Sequence, residues 1–264
     1  MGGVITLTTD FGEEDGYVGA MKGVILALNP SVTLVDISHQ IAPQDVSGAA
    51  YVLYTSCPHF PPGTVHLVVI DPGVGGSRHP VALRTRQATY VAPDNGVLSY
   101  VTHREEVKEA IHLDNPRYWR SPVSPTFHGR DIFAPVAAHL SLGVPLAHMG
   151  HPFAVEEMVT LPFPQPMVQR DGTLLGHVWH IDRFGNVITD IGQEHVAGSE
   201  QRLTVEVGDQ RIEGLRRTYI EGPTGGLLAL VGSSGQLEIA IREGSAAEGL
   251  GVQVGDEVLV SGLD

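Results

Sequence analysis

The sequence predicts an α/β protein: a mostly parallel α/β sandwich domain followed by an antiparallel β-barrel domain. Three observations carry this. Over the first 160 residues β-type apolar runs alternate with stretches of helical periodicity, the signature of parallel strands covered by helices. Near residue 161 the pattern stops at Leu161-Pro162-Phe163-Pro164-Gln165-Pro166, whose prolines make a stiff, extended connection. Beyond it short apolar runs recur between glycine-containing turns with no convincing helix, which indicates a small barrel or sandwich. The expected division is 1–160, a linker over 161–168, and 169–264.

In chain order, Val4–Thr9 reads as a strand and Tyr17–Leu28 as a helix stopped by Asn29-Pro30, since proline cannot continue a helix. Val32–Ile37 is a second strand, Asp45–Ser56 a second helix, and Val65–Ile70 a third strand, apolar but for His66. Shorter strands follow at Val81–Arg84 and Thr89–Ala92. A long helix runs from about Gly129 to Leu142 with Ile132, Phe133, Val136, Ala137 and Leu140 on one face. In the second half, strands are expected at Leu174–Ile181, Val187–Ile191, Leu203–Val207, Leu227–Val231, Leu237–Ile241 and Glu257–Val260.

The 264 residues carry a formal charge of −14. That argues against a nucleic-acid partner, because binding a polyanion needs Lys and Arg to displace counterions. The single cysteine, Cys57, precludes an internal disulfide and reads as a buried, inert thiol. The N-terminal residues lack the charged and long apolar regions of a signal peptide. No run reaches the ~18 apolar residues of a membrane span. A cytoplasmic location is the expectation.

Polar residues where packing does not demand them mark the candidate site. The third strand ends in Asp71-Pro72-Gly73-Val74-Gly75-Gly76-Ser77-Arg78. Open α/β sheets bind ligands beyond the carboxyl ends of their strands, and glycines allow close approach of backbone to ligand. Functional and solvated-turn readings compete here, and the placement of the acid and the arginine favours function. Thr8-Thr9-Asp10-Phe11-Gly12 ends the first strand in the same way; Asp10 suits a ribose diol or, equally, a helix N-cap. His128, in Phe127-His128-Gly129-Arg130-Asp131, opens the long helix, where the helix dipole keeps an imidazole neutral. His177 and His180 lie three apart on a strand and so point to opposite faces, which makes a shared metal a poor reading. Asp182 and Asn186 bracket an aromatic-glycine turn, usually a structural role.

These segments, with Ala92-Pro93-Asp94-Asn95-Gly96, Phe184-Gly185-Asn186 and Gly232-Ser233-Ser234-Gly235, occur in an order that resembles the S-adenosyl-L-methionine hydroxide adenosyltransferases, relatives of the fluorinases and chlorinases. The resemblance spans nearly the whole chain. It implies a homotrimer with active sites between subunits, no cofactor and no metal. It also implies a reaction in which water attacks C5′ of S-adenosyl-L-methionine (SAM) to give adenosine and methionine.

By this resemblance Asp71, Arg78 and His128 are the catalytic set. Asp10 matches the ribose-binding acid, and Asp182 and Asn186 match residues that hold the methionine amine and the ribose. Ser233 falls in the methionine-binding turn. Ser234 stands where the fluorinase has an arginine. Asp15 aligns with another methionine-contacting acid, and Glu243 lies in the adenine-pocket segment Ile241-Arg242-Glu243-Gly244. Asp71 itself, the glycines after it and the short Arg86-Gln87-Ala88-Thr89 turn all depart from the halide-using relatives and point to water. The alternatives are a SAM-dependent chlorinase and a non-catalytic sensor of SAM or adenosine.

Overall fold

The computed structural model describes residues 3–263 and separates them into two compact units, divided between Phe163 and Pro164. In the first unit strand and helix alternate as β1 (Val4–Thr9), α1 (Tyr17–Leu28), β2 (Thr33–Ser38), α2 (Val46–Ser56) and β3 (Thr64–Val69). They are followed by β4 (Pro80–Arg84), β5 (Ala88–Pro93), α3 (Ser99–Arg104), β6 (Glu109–His112), α4 (Ala134–Ser141) and β7 (His151–Pro152). The sheet order is β2-β1-β3-β5-β4-β6-β7. The four strands β2, β1, β3 and β5 are parallel neighbours, whereas β4, β6 and β7 join antiparallel.

The central strand explains its own composition. Val65, Leu67 and Val69 face a core with Met21, Ile25, Val136 and Ala137, from α1 and α4. Val68 and Ile70 face the opposite core with Ala49, Leu53 and Val101, from α2 and α3. A strand covered on both faces reads as an unbroken apolar run. The one polar residue inside it, His66, is buried, bonded through Nδ1 to Thr6 Oγ1 at 2.7 Å and stacked on Tyr90. Burial pushes its pKa down to about 4. Cys57 is buried, and burial raises its thiol pKa to about 12.

The second unit is a nine-stranded, barrel-like sheet around its own core. Its elements are β8 (Met167–Val168), β9 (Leu174–Ile181), β10 (Val187–Gly192), α5 (Gln193–Val196), β11 (Thr204–Val207), β12 (Gln210–Glu213) and β13 (Leu215–Arg216). Then come β14 (Leu227–Val231), β15 (Gln236–Ile241), α6 (Ala246–Leu250) and β16 (Glu257–Ser261). The strand order is β12-β11-β16-β9-β10-β15-β14-β13, with β8 beside β9. Strand β12, at one end of that order, packs on β14, the strand next to the other end.

The expected strands and principal helices match with shifts of a residue or so at their ends. Other elements depart from the expectation. The second unit does contain helices, α5 and α6, each about a single turn and too short to show periodicity. Strands β6, β7, β8, β12 and β13 and helix α3 lie outside that expectation, β8 falling within the expected 161–168 linker; they too are short and depend on neighbours for their pattern. The long helix begins as a π-helical turn at Gly129–Phe133 before continuing as α4.

Candidate active site

Strands β1 and β3 pair in parallel with Thr9 opposite Val69, so Asp10 and Asp71 leave the sheet at one edge. Asn95 Nδ2 donates to the Ile70 carbonyl at 2.8 Å and fixes the point where the third strand ends. The chain then turns tightly, with Val74 N donating to Asp71 O and Gly76 N to Gly73 O. This brings Arg78 back onto Asp71. Arg78 Nε donates to Asp71 Oδ1 at 2.8 Å, and Nη2 donates to Oδ2. The two side chains are only 9% and 5% exposed. The pair is therefore a bidentate ion pair held largely out of water, unlike a solvated surface turn.

The second N–H of Arg78 Nη2 donates to His128 Nδ1 at 2.8 Å. A guanidinium has no lone pair to accept with, so this nitrogen must present its own. His128 is then neutral and carries its proton on Nε2. Burial first, and the Arg78 charge second, hold its pKa below the usual imidazole range. The Arg78 guanidinium also lies 5.3 Å from the centre of the Phe133 ring, on the helix that His128 opens. Arg78 Nη1 retains two donors with no partner among the described residues.

The glycine-rich loop and the histidine segment touch directly. Gly75 sits at φ +75°, and a Cβ there would lie far inside van der Waals contact with the Pro125 carbonyl. Only glycine allows both the conformation and the approach. On the other side Asp131 is 1% exposed, accepts from Ser124 N at 2.9 Å and takes a bidentate bond from Arg130. It clamps the 124–131 segment from which His128 projects.

Asp10 is not an N-cap. The residue preceding α1 is Gly16, and the Asp10 carboxylate instead accepts from Gln44 N at 2.8 Å. Asp15 is exposed. In the second unit, Asp182 Oδ1 accepts from Phe184 N and Asn186 N, both at 2.9 Å, while Oδ2 accepts from Asn186 Nδ2 at 3.0 Å. The turn is tight because Gly185, at φ +79°, packs against Ser245, where a Cβ would clash. Ser233 and Ser234 are exposed in the β14–β15 hairpin, closed by Gly235 N donating to Gly232 O at 3.0 Å. Glu243 is exposed, with φ +65° and Arg242 at 3.7 Å.

Two further residues support this site, Phe133 beside the Arg78 guanidinium and Asn95 at the strand end, and one unexpected buried acid lies in the second unit. Phe133 was read only as packing, and Asn95 had no stated role. Glu238 lies in an apolar strand and is buried, accepting from Tyr219 Oη at 2.6 Å. Burial, then the nearby Asp182 charge, raises the Glu238 pKa. A lone acid in the otherwise apolar run Leu237–Ile241 was the available signal.

The chemistry these groups permit is proton handling and anion stabilisation at the edge of a sheet. Sequence models of the SAM hydroxide adenosyltransferase N-terminal and C-terminal domains match residues 5–150 and 176–259. The chain belongs to this family. It is similar to (R)-S-adenosyl-L-methionine hydrolase of Thermus thermophilus, 42% identical over 94% of this chain and 95% of that one. The Salinispora arenicola protein of the same name is 39% identical over 97% of each. A fluorinase from Nocardia brasiliensis is 31% identical over 97% of this chain and 96% of its own. Among solved structures, an uncharacterized conserved protein from Thermotoga maritima superposes with a TM-score of 0.89 at 38% identity, over 97% and 99% of the two chains. Among the described residues no cluster of His, Cys, Asp or Glu suits a metal, and no helix is long and apolar enough to cross a membrane.

Proposed function

We propose that this protein hydrolyses S-adenosyl-L-methionine to adenosine and L-methionine, and that it acts on the epimer with R configuration at sulfur, as the names of its hydrolase relatives state. The single observation that carries the reading is Arg78 held between Asp71 and His128. A sulfonium leaves as a neutral thioether and needs no general acid. The barrier lies with the nucleophile, because neutral water is weak and hydroxide is scarce at pH 7. A site that binds water and stabilises developing hydroxide meets that barrier.

Arg78 is the electrostatic partner of the hydroxide, through the two unused N–H groups of Nη1. Asp71 fixes the guanidinium plane and takes the proton of the water on a remaining carboxylate lone pair, while neutral His128, its Nδ1 lone pair engaged by Arg78, orients the water through Nε2–H. The oxygen then attacks ribose C5′ in line with the departing sulfur, forming the C–O bond as the C–S bond breaks. Asp10 and Asp15 serve the ribose and methionine ends of the substrate. Asp182, Asn186, Ser233, Ser234 and Glu243 supply the rest of the binding surface. No cofactor takes part. The working form is a homotrimer with its sites between subunits, acting in the cytoplasm without nucleic-acid or membrane partners.

The test is a chromatographic product assay on each sulfonium epimer, in halide-free and chloride-containing buffers, with ¹⁸O-labelled water. Adenosine carrying the label in both buffers is the expected result. A 5′-chloro product would make the protein a chlorinase, and tight binding without product would make it a sensor.

A further inference from the structure

A pocket whose lining includes none of Asp71, Arg78 or His128 lies in the first unit. It has a volume of about 580 Å³ and lies between α1, the 117–120 segment and the start of α4. That is within the range of small-molecule pockets. Three guanidiniums line it, those of Arg117, Arg120 and Arg130, and the rings of Tyr118 and Trp119 join them. The opposite wall is apolar and includes Val24.

The charges do not cancel. Arg130 and Arg120 share one carboxylate, Asp131, the latter at 3.4 Å. Arg117 has no carboxylate partner among the described residues. Three cations and one anion therefore meet in a chain whose formal charge is −14, where local excess of positive charge is otherwise scarce. Planar guanidiniums match the geometry of phosphate oxygens, and the Tyr118 and Trp119 rings in the same lining suit an aromatic group.

From this we infer that the Arg117–Arg120–Arg130 cavity is a second ligand site, which takes an aromatic phosphate monoester with its phosphate on the guanidiniums and its ring on Tyr118 and Trp119. The site is separate from the Arg78 centre, although Asp131 serves both: it pairs with two cavity arginines and clamps the segment that carries His128.

The chain contains two tryptophans, Trp119 and Trp179, so the Trp179→Phe variant reports on Trp119 alone. Its fluorescence is titrated with phenyl phosphate, with inorganic phosphate and phenol as the two halves of the probe. The expected result is a saturable change with phenyl phosphate, at least tenfold tighter than with either half. Arg117→Ala and Arg120→Ala, both at exposed positions, each weaken it about tenfold, as loss of a charge-assisted contact should. An absence of saturation would overturn the assignment. So would equal affinity in the arginine variants, or displacement of the probe by adenosine, which would place it in the catalytic centre. Equal affinity for inorganic phosphate would remove the aromatic part of the ligand.

Discussion

The two units use acids in opposite ways. In the first, Asp71 gives both its oxygens to the side chain of Arg78, across the glycine turn, and Arg78 in turn reaches His128 fifty positions further along. In the second, Asp182 gives its oxygens to its own loop: two backbone amides and the side chain of Asn186, all within four residues. The first arrangement confines charge at 9% and 5% exposure and leaves two guanidinium donors without partners among the described residues. The second shapes a loop. Long-range pairing of buried charge costs desolvation and adds little net stability, so its presence at a strand end points to chemistry. Local pairing at a turn is what Asx residues do in any loop.

This contrast can be broken by mutation. The largest effect is expected at Arg78→Ala, which removes the hydroxide partner and leaves Asp71 buried without its cation. Turnover should fall by about 10³-fold or more, with a loss of about 3–5 kcal/mol in denaturant unfolding. Arg78→Lys keeps the charge but not the fork, and should recover stability more than rate. Near-normal turnover in Arg78→Ala and Asp71→Ala would end the catalytic assignment.

Gly75→Ala comes next. It combines a positive φ with a clash against Pro125 and shifts the two catalytic loops apart, so a fall of ~10²-fold in kcat is expected. Substrate binding should change much less, and steady-state kinetics separate the two.

The pH dependence sharpens the same comparison. His128 must be neutral, and its pKa is depressed by burial and Arg78. kcat/KM should therefore fall as pH falls below the ordinary imidazole value of about 6.5, with the midpoint displaced to the acid side. For stability, the unfolded chain binds protons to His66 and His128 more readily than the folded one does. Stability from these groups is then complete above about pH 6.5 and lost as pH falls. For His66 the loss extends to about pH 4, some 3 kcal/mol at most by the usual conversion. Denaturant unfolding from pH 8 to pH 4 measures it, and a flat profile would contradict the depressed values.

In the second unit the effects should be smaller. Asp182→Asn keeps acceptor geometry on one oxygen, so KM should rise about tenfold with kcat little altered, if the loop contacts substrate as proposed. Glu243→Ala, at an exposed position paired with Arg242 at 3.7 Å, should change stability by less than about 0.5 kcal/mol.

Much of this protein was legible in its chain. The alternation of β1, α1, β2, α2 and β3 could be read because each element has its own period, and β3 could be recognised as central because from Val65 onward it is apolar at every position but one. The grouping of Asp71 with Arg78 was legible from the glycines between them. That Asp10 shares their edge followed once β1 and β3 were taken as parallel neighbours. The short strands β6, β7, β12 and β13 were not legible, because two to four residues carry too little pattern and are held by the neighbours they pair with.

Local sequence thus determined which segments are strands, where they stop and which polar residues stand at their ends, since propensity, periodicity and turn chemistry act over a few residues. Only the tertiary structure decided what those polar groups meet. It placed Arg78 between Asp71 and His128, gave Asp10 to Gln44 instead of the helix it precedes, and gathered Arg117, Arg120 and Arg130 around one cavity. Such contacts join residues far apart in the chain, and depend on strand order, register and burial that no short window of sequence contains.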